Sequence, residues 1–255
     1  MLVTLLIACA TLVLATAAPT DVPAGRVVGG ADAVDAQFPH QVSLRYKGSH
    51  TCGGSIISRN YILTAAHCVT AEDGETGELV VTPANQLSIR AGSLDRLSNG
   101  VVINVADVIV HENYGSFLND LALLLLESPL IYSDRIAPIQ IASTDTPAGA
   151  DVVISGWGRL KTNGDLPRQL QWNVLSALSN LRCQTSTLMF SSSLICLGHE
   201  RNNGACNGDS GGPAVYNNEI VGIAGFVMGG CGSNLPDGYA KVFYHRDWII
   251  KNAKL

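Results

Sequence analysis

From Gln41 onward the chain is cut into short apolar runs: Gln41–Arg45, Ile56-Ile57, Leu87–Arg90, Val101–Val110, Val152–Ser155, Leu194–Leu197 and Ile220–Phe226. Several alternate or are rich in Val and Ile, and Gly, Asn, Ser, Asp and Pro separate them. Such residues fit a pleated, half-buried surface, and such separators form turns, so the pattern predicts an all-β protein. Leu121–Leu126 is apolar throughout, but at six residues it is a buried strand and not a membrane span. Helical patterning enters only at the end, where Tyr244–Lys254 sets Trp248, Ile249 and Ile250 among charges and predicts a short C-terminal helix. A length of 255 residues suits one large domain or two small ones, and there is no internal repeat and no low-complexity block.

Leu2 to Ala18 is uncharged and mostly apolar, which reads as a signal-peptide core, with Ala15-Thr16-Ala17 as the small-x-small cleavage site and the cut after Ala17. The alternative is an uncleaved anchor. The leader takes Cys9 with it, leaving six of the seven cysteines, and an even count in a secreted chain implies disulfides, with fifteen pairings open. No Cys-x-x-Cys spacing occurs, so zinc is a poor reading, and no metal or other cofactor is expected. A net charge of -5 without a basic block argues against nucleic acid, and no Asn-x-Ser/Thr sequon is present. The mature chain is expected to be secreted, monomeric and free of membrane.

The chemistry concentrates in Gly204–Pro213, Gly-Ala-Cys-Asn-Gly-Asp-Ser-Gly-Gly-Pro, where Ser210 stands in a run of bent, glycine-rich backbone. A serine hydroxyl needs a base to take its proton. Thr64-Ala65-Ala66-His67-Cys68 supplies a histidine and Asn119-Asp120-Leu121-Ala122-Leu123-Leu124 a carboxylate. A rival frame is the Gly-x-Ser-x-Gly elbow with Asp237 and His245 following the serine, but that elbow requires a helix directly after it, and Gly211-Gly212-Pro213 is a poor helix start.

These motifs, with Arg26-Val27-Val28-Gly29-Gly30, Cys52-Gly53-Gly54-Ser55, Ser155-Gly156-Trp157-Gly158 and Asp247-Trp248-Ile249, make the chain resemble the chymotrypsin-like serine endopeptidases over essentially its whole mature length. The resemblance implies two six-stranded antiparallel β-barrels with the site in the cleft between them, meeting near Ser128–Ile141. It implies a triad of His67, Asp120 and Ser210, an oxyanion hole from the N–H groups of Gly208 and Ser210, and the disulfides Cys52–Cys68, Cys183–Cys196 and Cys206–Cys231. It makes residues 18–26 an activation peptide cut after Arg26, so that the α-amino group of Val27 pairs with Asp209. Before that cut Asp209 would be held by the positions matching His50 and Ser43. Gly92–Asn99 holds a single acid, so the calcium loop of some relatives is not expected.

In the primary pocket the resemblance places Gly204 at the base, where an aspartate would make a trypsin, and Gly225, Val227 and Asp237 on the wall. Val227 narrows the entrance as in elastases. Asp237 puts a carboxylate on the wall, as in the collagenolytic digestive proteases of arthropods, unless it is turned away or paired with a local donor. The expected specificity is chymotrypsin- or elastase-like, or broad and collagenolytic, with secondary cleavage after basic residues through Asp237. Gly225 replaces a serine that hydrogen-bonds the triad aspartate in most relatives. Expected partners are protein or peptide substrates, an activating protease of trypsin-like specificity, and protein protease inhibitors. The alternative is a catalytically weak homologue acting as a secreted binding protein, which the presence of every triad member disfavours.

Overall fold

The alternating runs become strands, and the strands close into two barrels. The computed structural model describes residues 27–115, 117–189 and 191–255; the leader assigned to 1–17 and the activation segment 18–26, Arg26 included, lie outside the described residues. The first barrel is built from β1 (Gln41–Tyr46), β2 (Ser49–Ile56), β3 (Tyr61–Thr64), β4 (Leu87–Ala91), β5 (Val101–Val110) and β6 (Ala122–Leu126). The second is built from β7 (Asp151–Gly156), β8 (Gln171–Ala177), β9 (Leu194–Gly198), β10 (Pro213–Tyr216), β11 (Glu219–Phe226) and β12 (Asp237–Lys241). The first ring runs β2-β1-β4-β5-β6-β3 and the second β8-β7-β10-β11-β12-β9, all pairings antiparallel. The two orders are the same with every index advanced by six, so one topology occurs twice, although the sequence shows no repeat. Between the barrels, Gln140–Ile141 adds a short parallel pairing to the start of β11.

Burial explains why β6 has no polar face. Ala122, Leu124 and Leu126 point into the core of the first barrel, while Leu121 and Leu123 pack in the cluster that joins the two barrels. Side chains alternate across a strand, so a strand wedged between two cores must be apolar on both faces. β3 does the same, with Ile62 in the barrel core and Tyr61 and Leu63 at the junction.

The C-terminal helix forms as expected, as α2 (Arg246–Ala253), anchored by the buried Ile249 and Ala253. A second helix, α1 (Asn180–Thr187), was not predicted. Its sequence is polar and rich in Ser and Thr, with little helical amphipathicity. Ser179 caps it by accepting from the N–H of Arg182, and the Cys183–Cys196 disulfide ties it to β9. All three disulfides take the expected pairing. No helix among the described residues is long and apolar enough to cross a membrane.

Candidate active site

Strand register brings His67 and Asp120 together. β3 leaves the first barrel at Thr64, whose partner is Ala122, the first residue of the antiparallel β6. Asp120 lies just before β6, and His67 just after β3, on a short 3-10 turn, Ala66–Cys68. The Asp120 carboxylate is 2 % exposed and both of its oxygens are used by one residue: Oδ1 accepts the His67 backbone N–H at 2.9 Å and Oδ2 the ring Nδ1–H at 2.7 Å. A carboxylate only accepts, so Nδ1 carries the ring proton and Nε2 is left as the acceptor. The Cys52–Cys68 bridge clamps this turn to β2 and contributes about 3 kcal/mol by closing a short loop. Cys52, His67 and Cys68 lie close enough together to suggest a metal site, but both sulfurs are spent in that bridge.

Ser210 comes from the other barrel, on the turn before β10. Its carbonyl accepts the N–H of Gly53 from β2 at 2.7 Å, so the turn is fastened across the barrel junction. Approach there is close: a β-carbon on Gly211 would lie 2.2 Å from Thr64 Oγ1 and 2.7 Å from the Gly53 carbonyl, so only glycine fits. Ser210 and His67 line one cleft of about 290 Å³. Ser210 Oγ makes no hydrogen bond to any described residue, a looseness common at such sites before a substrate arrives.

The turn also presents two unused donors. The N–H groups of Asp209, Gly211 and Gly212 bond to the carbonyls of Cys206, Ala224 and Asp209. Among the described residues, the N–H groups of Gly208 and Ser210 donate to nothing. Gly208 holds φ at +100°, and its carbonyl accepts from His50 Nε2 at 3.1 Å. With Nε2 as donor, His50 Nδ1 accepts the Ser43 hydroxyl at 2.8 Å. Burial drives the His50 pKa down to about 4, so the ring is neutral. His50 and Ser43 are therefore joined as the sequence suggested, but they hold Gly208 and not Asp209.

Asp209 itself is 4 % exposed. Its Oδ1 accepts the N–H of Gly158 at 2.7 Å and its Oδ2 that of Cys206 at 3.0 Å. Gly156 and Gly158 leave the room the carboxyl occupies, since β-carbons there would fall 2.1 and 2.2 Å from its oxygens. Among the described residues no cationic side chain lies within ion-pair distance, and burial pushes its pKa up to about 7 against those two hydrogen bonds.

The pocket residues divide. Gly225 and Val227 line the cleft with Ala205, Phe226 and Gly238. Gly204 and Asp237 do not. Asp237 is 3 % exposed and its Oδ2 accepts the N–H of Ala205 at 2.6 Å. The expected carboxylate on the wall is thus corrected: Asp237 is turned behind Ala205 and held by its N–H, and among the described residues no acid lines the cleft. Two residues here escaped sequence reading. Ala205 had only its adjacency to Gly204 to mark it, and His199, which stands beside Asp237, had no motif at all.

Comparison with known proteins points to one family. A family model described as Trypsin matches residues 27–249. The chain is 49% identical over 224 residues to a protein named serine protease SP24D from Anopheles gambiae, covering 88% of this chain and 80% of that one. It is 38% identical over 236 residues to trypsin delta of Drosophila erecta, covering 90% and 89%, and 37% identical over 236 residues to trypsin alpha of Drosophila melanogaster, covering 90% and 88%.

Proposed function

The chain belongs to the trypsin family of serine endopeptidases, and on that footing we propose that it is a secreted enzyme, made as a zymogen, that cuts proteins after apolar residues through an acyl-enzyme. The observation that carries the chemistry is the pair of unused N–H groups on Gly208 and Ser210 beside a histidine whose tautomer Asp120 has set. Ser210 Oγ attacks the scissile carbonyl as His67 Nε2 takes its proton. The carbonyl oxygen becomes an oxyanion bound by the two free N–H groups, and the imidazolium is stabilised by Asp120. His67 then gives the proton to the leaving amine, the amine departs, and water repeats the sequence on the ester.

The specificity reading rests on the cleft. The named Drosophila relatives are trypsins, but Gly204 stands where the resemblance puts a trypsin's aspartate, and Asp237 is buried behind Ala205. The cleft is lined by Ala205, Gly225, Phe226, Val227 and Gly238, so a small or medium apolar side chain is the best fit.

The zymogen reading rests on Asp209. A fully buried carboxylate without a cation is costly. Cleavage after Arg26 would free the α-amino group of Val27, whose side chain is already 1 % exposed, to supply one. Secretion rests on the uncharged Leu2–Ala18 segment and on three disulfides, which persist in oxidising compartments. The test is trypsin activation followed by a profile over Ala, Val, Leu, Phe, Lys and Arg substrates. Expected are activity on Ala, Val and Leu, loss of several orders of magnitude in Ser210→Ala, and no maturation of Arg26→Gln. Near-normal turnover by Ser210→Ala overturns the mechanism, and full activation of Arg26→Gln places the switch elsewhere.

A further inference from the structure

Beneath the floor of the cleft lies a buried ion pair that the reaction above does not use. Asp237 opens β12 opposite Leu197 of β9, and His199 follows the end of β9 directly. The two side chains are 4% and 2% exposed, and His199 Nε2 stands 3.3 Å from Asp237 Oδ2. The other ring nitrogen, Nδ1, is 3.0 Å from the Glu200 carbonyl. The Glu200 carbonyl can only accept, so Nδ1 carries a proton, while Nε2 makes no aligned hydrogen bond among the described residues and meets Asp237 Oδ2 at ion-pair distance, the contact of an imidazolium with a carboxylate. Burial opposes that charge, but Asp237 and the Glu200 carbonyl outweigh it and hold the His199 pKa above its ordinary value.

The pair sits directly behind the Gly204–Ala205 backbone. A β-carbon on Gly204 would fall 2.6 Å from both Asp237 Oδ2 and His199 Nε2, so no side chain separates the pair from that backbone. Ala205, whose N–H Asp237 holds, lines the cleft. An unpaired carboxylate here would project its field through one layer of backbone onto the side chain of the residue before the cut. In a desolvated pocket such a charge shifts the binding of an opposite charge by on the order of tenfold to a hundredfold.

We propose that His199 is a specificity-determining residue, the counter-ion that cancels Asp237 beneath the primary pocket and so keeps Lys and Arg from being preferred before the cut. This rests on the endopeptidase reading above. It also makes specificity in this chain a property of two residues, neither of which lines the cleft.

The experiment compares trypsin-activated wild type with His199→Gln, Asp237→Asn and the double variant at pH 7.5. Active sites are first counted with a fluorophosphonate that labels a nucleophilic serine. kcat/KM is then measured on p-nitroanilides differing only in Leu, Phe, Lys or Arg, together with inhibition by benzamidine. An unlabelled wild type overturns the endopeptidase reading and leaves the ion-pair geometry as it stands. With labelled protein, His199→Gln is expected to raise the Arg-to-Leu ratio at least fivefold and to tighten benzamidine in step, and the double variant is expected to lose both gains. A labelled His199→Gln with a smaller rise overturns the proposal. Should His199→Gln yield no labelled protein, Asp237→Asn decides: an Arg-to-Leu ratio that falls fivefold or more means Asp237 already acts unscreened and overturns it, and a smaller change supports it.

Discussion

A β-carbon placed on Gly225 would stand 3.6 Å from Asp120 Oδ2, within reach of a hydroxyl attached to it. The same carbon would lie 3.1 Å from the Gly238 carbonyl, close enough that β12 must yield by a few tenths of an ångström. Asp120 has both oxygens bonded to His67 and no third donor among the described residues. Gly225→Ser should therefore add one hydrogen bond to a buried charge, about 1.5 kcal/mol, and raise kcat/KM up to about tenfold. Steady-state kinetics on one apolar substrate checks this. A fall beyond tenfold would mean that crowding against Gly238 outweighs the new bond.

Asp120→Asn tests the other side of the same carboxylate. An amide nitrogen presented to His67 Nδ1 would favour the tautomer with its proton on Nε2, which cannot accept from Ser210. The loss in kcat should be on the order of 10⁴, with the fold intact by circular dichroism. A loss below tenfold would show that the 2.7 Å contact between His67 and Asp120 does not set the tautomer.

His50 should matter to the rate although it lies outside the triad. It holds the Gly208 carbonyl at 3.1 Å, and Gly208 carries one of the two free N–H groups. His50→Phe removes the only side-chain donor to that carbonyl among the described residues. Removing an oxyanion donor outright costs on the order of 10² to 10³ in kcat. Loosening one should cost less, about tenfold to a hundredfold, with KM changed little. A larger effect on KM than on kcat would place His50 in substrate binding instead.

How far the sequence could be read follows from where information is local. Strands such as Leu87–Ala91, Val101–Val110, Asp151–Gly156 and Glu219–Phe226 were legible because alternation and Val/Ile enrichment are local properties, and Leu121–Leu126 because a strand buried on both faces has no polar residue to hide it, whereas Tyr61–Thr64, Gln171–Ala177, Pro213–Tyr216 and Asp237–Lys241 were not among the runs the sequence marked. The polar helix Asn180–Thr187 was illegible, since its stability comes from the Ser179 cap and a disulfide to β9 and not from its own pattern. The motifs pointed to His67, Asp120 and Ser210; strand register sets the buried Asp120 against His67, and a barrel junction brings His67 and Ser210 to one cleft. They could not tell on which side of the pocket backbone Asp237 lies. That depends on the Ala205 N–H and on His199, a partner distant in sequence with no motif around it.

The pH dependence of the uncleaved chain isolates Asp209. Burial raises its pKa from the ordinary 3.8 to about 7, so between those values the folded state binds the proton that the unfolded state has lost. The stability this gives is complete below 3.8 and is lost as pH rises toward 7, on the order of 4 kcal/mol in all. His40, His50 and His245 act in the opposite sense: burial lowers each from 6.5 to about 4, so their contribution is complete above 6.5 and is lost as pH falls toward 4. The total curve mixes both trends, and the informative quantity is a difference. In an inactive Ser210→Ala background, uncleaved at Arg26, Asp209→Asn should become progressively more stabilising relative to Asp209 as pH rises from 4 to 7, read from urea midpoints at each pH. After cleavage at Arg26 the sign should reverse at pH 7, because the ionised carboxylate then has the Val27 ammonium to pair with and the amide does not. A difference that ignores pH in the uncleaved chain, or keeps its sign after cleavage, would detach Asp209 from activation.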